Sequence, residues 1–142
     1  MSVIDTTAGF KFRYRLSQQP PTLKRLYFKD TETLSKNDLL NLETGEVDLG
    51  ATNDTTFVGA AQETLAGTDS TTQIWVITDF DAVYGVYDAN AREAGATLDI
   101  AGTTGAMTVA ASSNVDLIVV SKSSATEETL VMIAHGEHYQ QP

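Results

Sequence analysis

From about residue 33 onward, the chain alternates short apolar stretches with clusters of Gly, Asn, Asp, Ser and Thr. Apolar residues recur at every second position in several stretches, as in Leu98 and Ile100, and this period is typical of strands with one buried face. Turn-forming clusters at this spacing indicate an all-β barrel or sandwich. The pattern predicts nine strands: 39–43, 46–49, 57–63, 73–78, 82–87, 97–101, 106–110, 116–121 and 129–134.

Three local patterns refine this β prediction. Two continuous apolar runs, 117–120 and 130–133, predict central strands that are covered on both faces. Thr44-Gly45 fits a tight hairpin turn between two strands, with glycine at a positive φ angle. Residues 88–95 indicate one short helix, with Asp88 or Asn90 as its N-cap and Gly95 at its end. The expected fold class is therefore mainly β, a small single barrel-like domain with one short helix.

The N-terminal segment has a different pattern, because aromatic and cationic residues alternate over six positions. In an extended chain the three aromatic side chains lie on one face and the three cations on the other. Such a ribbon has an apolar side and a charged side. The six residues are Phe10, Lys11, Phe12, Arg13, Tyr14 and Arg15.

A linker or bend is expected after this ribbon, where Pro20-Pro21 keeps the backbone extended and removes two amide donors. A second apolar and basic stretch follows, with Leu23, Leu26, Tyr27 and Phe28 beside Lys24, Arg25 and Lys29. We therefore divide the chain into an extended basic and aromatic N-terminal arm, residues 1–30, and a β-rich domain, residues 31–142. The alternative is that the arm is an ordinary edge strand packed on its own domain.

The charge distribution supports this division. The formal net charge is −10. The first 36 residues hold seven cations and three acids, a net of +4, whereas the remaining 106 residues hold two cations and sixteen acids, a net of −14. A basic terminal segment on an acidic domain indicates that the segment binds an acidic partner.

Other features limit the class of protein. Without cysteine, the chain has no disulfide framework, thiolate nucleophile or cysteine metal site. No apolar stretch approaches the roughly 20 residues of a membrane helix, and no signal peptide is evident at the N-terminus. We expect no membrane partner, no cofactor and no secretion by way of a signal peptide.

The candidate catalytic and metal-ligating residues are few. Both histidines, His135 and His138, lie near the C-terminus, and their spacing suits a metal-binding helix whereas the segment is predicted to end a strand. Asp79 and Asp81 could share one strand face as an acid and base pair. Carboxylate pairs arise by chance in so acidic a domain, so we predict no catalytic residue and no metal site.

Aromatic residues in the domain offer another possibility. Trp75, Tyr84 and Tyr87 could form a flat platform on which sugar rings stack. Such residues more often fill a core or a subunit interface.

Four segments together resemble the head decoration (cement) proteins of long-tailed bacteriophages. These segments are 38–47 (DLLNLETGEV), 83–92 (VYGVYDANAR), 95–100 (GATLDI) and 114–120 (NVDLIVV), and the resemblance spans most of residues 38–138. It implies a β-tulip or barrel-like domain, commonly a homotrimer, on the outer surface of the virion where capsid subunits meet. It also implies that there are no catalytic residues and that the N-terminal arm adds a strand to a neighbouring major capsid protein.

The resulting hypothesis is a non-enzymatic protein that binds and stabilises a phage capsid. An extended segment that pairs with a sheet edge gains main-chain hydrogen bonds while its alternate side chains fill pockets. The predicted capsid-binding residues are Phe10, Lys11, Phe12, Arg13, Tyr14, Arg15, Leu23, Lys24, Arg25, Tyr27 and Phe28.

Three other classes of function remain as alternatives. The first is a carbohydrate-binding or adhesion module that uses Trp75 or the tyrosines. The second is single-stranded nucleic-acid binding by the arm, in which aromatic rings stack on bases. The −14 charge of the domain opposes this second class, and we expect no nucleic-acid partner. The third is an enzyme of unrecognised type.

Overall fold

A computed structural model describes residues 8–29, 33–52, 54–67, 71–111, 114–124 and 127–140. This part of the chain is mainly β and contains thirteen strands. In chain order they are β1 (Lys11–Arg15), β2 (Leu23–Phe28), β3 (Thr33–Leu34), β4 (Leu39–Glu43), β5 (Glu46–Leu49), β6 (Phe57–Ala60), β7 (Leu65–Ala66), β8 (Gln73–Ile77), β9 (Ala82–Asp88), β10 (Thr97–Ala101), β11 (Thr108–Ala111), β12 (Leu117–Val119) and β13 (Glu127–Ile133).

The larger sheet has six antiparallel strands in the order β1-β9-β13-β12-β10-β11. The two apolar runs form β12 and β13 inside this sheet, so their predicted central position is confirmed. Their predicted burial on both faces is wrong, because Leu130 and Met132 are only half-buried while Val131 and Ile133 are buried. One face of β13 packs on the core, and the other lies towards the outside.

The smaller sheet has five strands in the order β6-β4-β5-β2-β8, and its β2–β5 pair is parallel. The predicted hairpin joins β4 to β5, where Glu43 pairs with Glu46. Thr44 and Gly45, with φ angles of 49° and 84°, form its two-residue turn. Positive φ at both positions is the geometry of the turn that matches the twist of the flanking strands. A separate two-stranded sheet pairs β3 with β7, neither of which we predicted.

Two hydrophobic cores hold the sheets together. The first includes Leu39 and Phe57 from the smaller sheet and Tyr84, Leu117 and Val131 from the larger one. The second contains Phe28, Val47, Ile74 and Val76, all from the smaller sheet. Burial of these side chains is the main contribution to the stability of the fold.

The sheets are not closed into a barrel over the residues that the structure describes. The smaller sheet curls until its two ends meet at a single bridge, Ala61 to Val76, with a hydrogen bond from Gln62 N to Trp75 O of 2.8 Å. Because β6 ends at Ala60, this contact does not extend into a ladder. The barrel prediction is therefore wrong in the arrangement of the strands, although the β class is right.

The predicted helix at residues 88–95 is also wrong. Asp88 ends β9, and its carboxylate accepts hydrogen bonds from Asn90 N at 3.0 Å and Arg92 Nε at 2.5 Å. The backbone of Arg92 pairs with that of Ser123 in both directions, at 3.0 and 3.1 Å. In a helix capped by Asp88, Arg92 N would donate the first intrahelical hydrogen bond. Since Arg92 N bonds to Ser123 O instead, the segment forms a turn.

The segment predicted as an extended arm is folded into both sheets. β1 is the edge strand of the larger sheet, and β2 lies inside the smaller one. Phe10 is fully buried in the first core and Phe28 in the second. For residues 10–28 the structure thus has strands packed on their own domain, which is the alternative to a projecting arm. Residues 1–7 and the boundary at residue 30 lie outside the described residues.

Candidate functional site

The aromatic face predicted for the first ribbon is interrupted by a bulge in β1. Phe12 pairs with Tyr84 on the core side, and the register shifts before Tyr14 pairs with Val83. Phe12 packs edge-on against Tyr84 with ring centroids 6.4 Å apart. Because a one-residue shift moves a side chain to the other face of a strand, Tyr14 leaves the core side and is 40% exposed. Phe10, Phe12 and Tyr14 therefore do not form one binding face.

The two arginines of β1 are paired with acids of the same chain. Arg13 forms a two-point contact with Glu128, at 2.7 and 2.5 Å. Arg15 contacts Asp81 at 2.7 Å and Asp79 at 3.4 Å. Burial acts to raise the pKa of Asp81, but hydrogen bonds from Arg15 and Ser17 outweigh it and hold that pKa below its usual value. Because both guanidinium groups are already paired with carboxylates, they would gain little from an external acidic partner.

Asp79 and Asp81, the pair considered for acid and base chemistry, fasten the chain between β1 and β2. Asp81 accepts a hydrogen bond from Ser17 N at 3.0 Å. Asp79 accepts one from Thr22 N at 2.7 Å. Together with the contacts to Arg15, these bonds occupy both carboxylates, which explains the acids without any catalytic role.

The second basic stretch forms an exposed surface on β2 and β8, which we call the β2–β8 patch. Arg25 pairs with Trp75 across the two strands, and the guanidinium carbon lies 5.6 Å from the centre of the indole ring. The side chains of Leu23, Tyr27 and Trp75 are 46%, 46% and 41% exposed. Lys24 is exposed as well, but it pairs with the buried Val76 and alternates to the other face of β2, the face of the fully buried Phe28. We define the patch as Leu23, Arg25, Tyr27 and Trp75.

The three aromatic residues considered as a sugar platform are not brought together on the surface. Trp75 belongs to the β2–β8 patch, but Tyr84 is fully buried and its hydroxyl accepts a hydrogen bond from Ala60 N at 3.3 Å. Burial raises the pKa of Tyr84 above its ordinary value. Tyr87 is half-buried on β9. A sugar site built from all three residues is therefore not present.

The two histidines have different environments. His135 is exposed, whereas His138 is buried and its Nε2 lies 2.9 Å from the Val58 carbonyl oxygen. Burial lowers the pKa of His138 below its ordinary value. Within the described ranges, no group of three or more His, Asp or Glu side chains could hold a metal ion. The same residues include no helix long and apolar enough to cross a membrane.

Sequence reasoning missed the role of the buried aspartates. Asp38 accepts hydrogen bonds from Ser35 N at 2.8 Å and Gly105 N at 2.9 Å, and Asp116 accepts one from Ile100 N at 3.0 Å. Aspartate beside turn residues is typical of such backbone contacts. Position next to Gly, Ser or Asn was therefore the available signal for these structural acids.

Comparison with known proteins gives a match at the level of fold. No protein-family model matches the sequence, and no curated protein does either. A crystal structure that the chain resembles is the N base of the head fiber protein gp8.5 of bacteriophage phi29, with a TM-score of 0.50 and 17% sequence identity. The match covers 80% of this chain and 95% of that one. The sequence resemblance to phage head decoration proteins and this fold likeness therefore agree.

Proposed function

We propose that the protein is a non-enzymatic structural component of a phage virion that binds the outer surface of the capsid and stabilises it. Its partners are the major capsid protein and further copies of itself, as a homotrimer. Residues 1–30 supply the main contact surface, and residues 31–142 form the supporting domain. Because β2 belongs to the smaller sheet, contact occurs through its exposed side chains and not through an added strand.

The fold supports a head-associated role. The structure that the chain resembles is the base of a fiber on a phage head. That likeness covers most of both chains, so it concerns the whole domain and not an isolated motif. The extensive use of acids in turns and ion pairs also agrees with a structural protein, since it leaves no pair of carboxylates arranged for chemistry among those described above.

The observation that carries the proposal is the β2–β8 patch. Its Tyr27, Trp75 and Arg25 side chains are of the types enriched at the centres of protein interfaces. Within the described residues, Arg25 forms no ion pair with an acid. Unlike the arginines of β1, Arg25 is therefore available to an acidic surface on a capsid.

Trimerisation follows from the need for avidity. The patch offers few anchoring side chains, so one copy would bind weakly. Joining copies raises the effective concentration of each further contact without new chemistry. Sedimentation equilibrium of the purified protein tests the proposed trimer, and a monomer at all concentrations would contradict it.

Co-sedimentation with expanded, undecorated heads of the cognate phage tests the capsid contact. Deletion of residues 1–30 would not be a clean experiment, because it removes two strands and the buried Phe10 and Phe28. The charge reversal Arg25→Glu instead leaves the cores intact. We expect its affinity for heads to fall by about tenfold or more.

Lys122→Glu is the matched control. Lys122 is a cation whose side chain is 74% exposed. Its Nζ lies 3.7 Å from Oε1 of Glu93, which is also exposed. This variant should bind heads like the wild type. Equal binding by Arg25→Glu and the wild type would contradict the role of the patch, and no binding by the wild type would contradict the proposed function.

A further inference from the structure

A groove of about 540 Å³ lies beside β1 and is separate from the β2–β8 patch. Its lining consists of residues 12–15 and 18–20, which belong to β1 and the turn that follows. Since β9 occupies one side of β1, the groove lies along the other side. Its volume falls within the range of roughly 300–1,000 Å³ that is typical of small-molecule sites.

The wall formed by the turn is held in place by specific contacts. Gln18 N donates to Arg15 O at 2.9 Å, and Arg15 Nη1 donates to Pro20 O at 3.2 Å. Leu16 N donates to Asp81 O at 3.0 Å. These bonds tie both ends of the turn to β1 and to the segment before β9. The groove is therefore formed before any ligand arrives, which lowers the entropic cost of binding.

The charge of the groove is balanced, although two arginines line it. The Arg13 guanidinium contacts Glu128, and the Arg15 guanidinium contacts Asp79 and Asp81. An anionic ligand would gain little from cations already paired in this way. The chemistry of the groove thus favours a neutral ligand.

Besides the arginines, the groove is lined by the rings of Phe12, Tyr14 and Pro20 and by the side-chain amides of Gln18 and Gln19. Tyr14 is 40% exposed, and Gln18 and Gln19 are exposed. An aromatic face packs against the apolar face of a sugar ring. Each amide provides both donors and an acceptor, which matches the hydroxyl groups of a sugar.

An added peptide strand fits the groove less well. The bulge between Phe12 and Tyr14 interrupts the regular register of β1, and bulges of this kind protect sheet edges from pairing with another chain. The turn at residues 18–20 forms a second wall where an added strand would have to lie. These features distinguish the groove from an open edge.

The groove is also better suited to a sugar than Trp75 is. Arg25 lies over the Trp75 ring at 5.6 Å and covers one of its faces, whereas Tyr14 lines an open groove. We infer that the groove beside β1 binds a neutral carbohydrate, with Tyr14 stacking on the sugar ring and the amides of Gln18 and Gln19 binding its hydroxyls. This activity is additional to capsid binding and does not depend on it.

Saturation-transfer NMR on the full chain tests this inference with a panel of neutral sugars: glucose, galactose, mannose, N-acetylglucosamine, maltose and lactose. Sialyllactose serves as the charged comparison. Tyr14→Ala removes the ring, and Gln18→Gly removes an amide at a position where φ is +62° and glycine is favourable. Trp75→Ala is the control on the other sheet. Far-UV circular dichroism establishes that each variant is folded.

At least one neutral sugar should bind the wild type and Trp75→Ala, and its affinity should fall by about tenfold in Tyr14→Ala and measurably in Gln18→Gly. Absence of binding by the wild type at about 10 mM of every neutral sugar would overturn the inference, because even weak sites reach about 1 mM. Binding lost in Trp75→Ala and retained in Tyr14→Ala would also overturn it, and would assign the sugar to the β2–β8 patch.

Discussion

β1 and β2 have similar compositions but different chemical environments in the folded protein. Both are short strands that mix aromatic residues with Lys and Arg. The arginines of β1 contact Glu128, Asp79 and Asp81, whereas Arg25 on β2 contacts the ring of Trp75. The comparison shows that the pairing of a strand's arginines depends on whether the neighbouring strands supply acids.

The largest effect should come from the residues that anchor the two strands in the cores. Phe28→Ala leaves a cavity in the second core and should lower the free energy of unfolding by about 3–5 kcal/mol. Phe10→Ala should have a similar effect in the first core. Urea denaturation measures both values. Tyr27→Ala, next to Phe28 but 46% exposed, is the control, and a loss from it as large as that from Phe28→Ala would contradict the packing described.

Replacement of one arginine on each strand sharpens the comparison. Arg15→Met leaves Asp79 and Asp81 without a cation, and their side chains are only 6% and 9% exposed. We expect a loss of about 1.5–3 kcal/mol in urea denaturation, the range for hydrogen bonds to charged groups. Arg25→Met removes a surface cation–π contact and should cost about 0.5–1 kcal/mol. Equal losses of stability for the two variants would contradict the proposed difference between the environments of Arg15 on β1 and Arg25 on β2.

The pH dependence of stability tests the same ion pair. Because the pKa of Asp81 is lower in the folded protein than its usual value, its contribution is present above the unfolded pKa of about 3.9 and is lost as the pH falls through the folded pKa. Thermal melts between pH 2 and pH 6 should therefore show a steeper loss for the wild type than for Arg15→Met in the acidic part of this range. Parallel profiles would mean that Arg15 does not cause the shift.

The smallest effect is expected from the exposed ion pair on β1. The side chains of Arg13 and Glu128 are 38% and 26% exposed, and pairs in such positions contribute about 0.2–1 kcal/mol. Arg13→Met should therefore change the midpoint of urea denaturation only slightly, and 1 M NaCl should reduce the difference. A loss as large as that from Arg15→Met would show that burial does not set the contributions of Arg13 and Arg15 to stability.

Several elements could be predicted because local sequence is sufficient to define them. The period of two along 97–101 and the Thr44-Gly45 turn led to β10 and to the β4–β5 hairpin. The short helix was predicted wrongly because the backbone of Arg92 pairs with that of Ser123, a residue distant in sequence. Such long-range contacts override weak helical propensity in a short segment.

The candidate surfaces were predicted in part. Lys24, Arg25 and Tyr27 were identified from their composition and are exposed, but their neighbour Trp75 was assigned to a different group of aromatic residues. The groove beside β1 had no signal in the sequence, since it depends on a bulge and on a turn held by Asp81. The role of all these residues in binding stays a prediction.

The sequence by itself determined the β class, most strand positions and the concentration of cations near the N-terminus, because hydrophobic period, turn residues and charge are local properties. Only the tertiary structure decided that β1 and β2 belong to different sheets, that the bulge turns Tyr14 outward, and that Arg15 rather than Arg25 meets buried acids. The physical reason is that strand pairing and burial join residues far apart in the chain, and the energy of a charge depends on which neighbours that pairing provides.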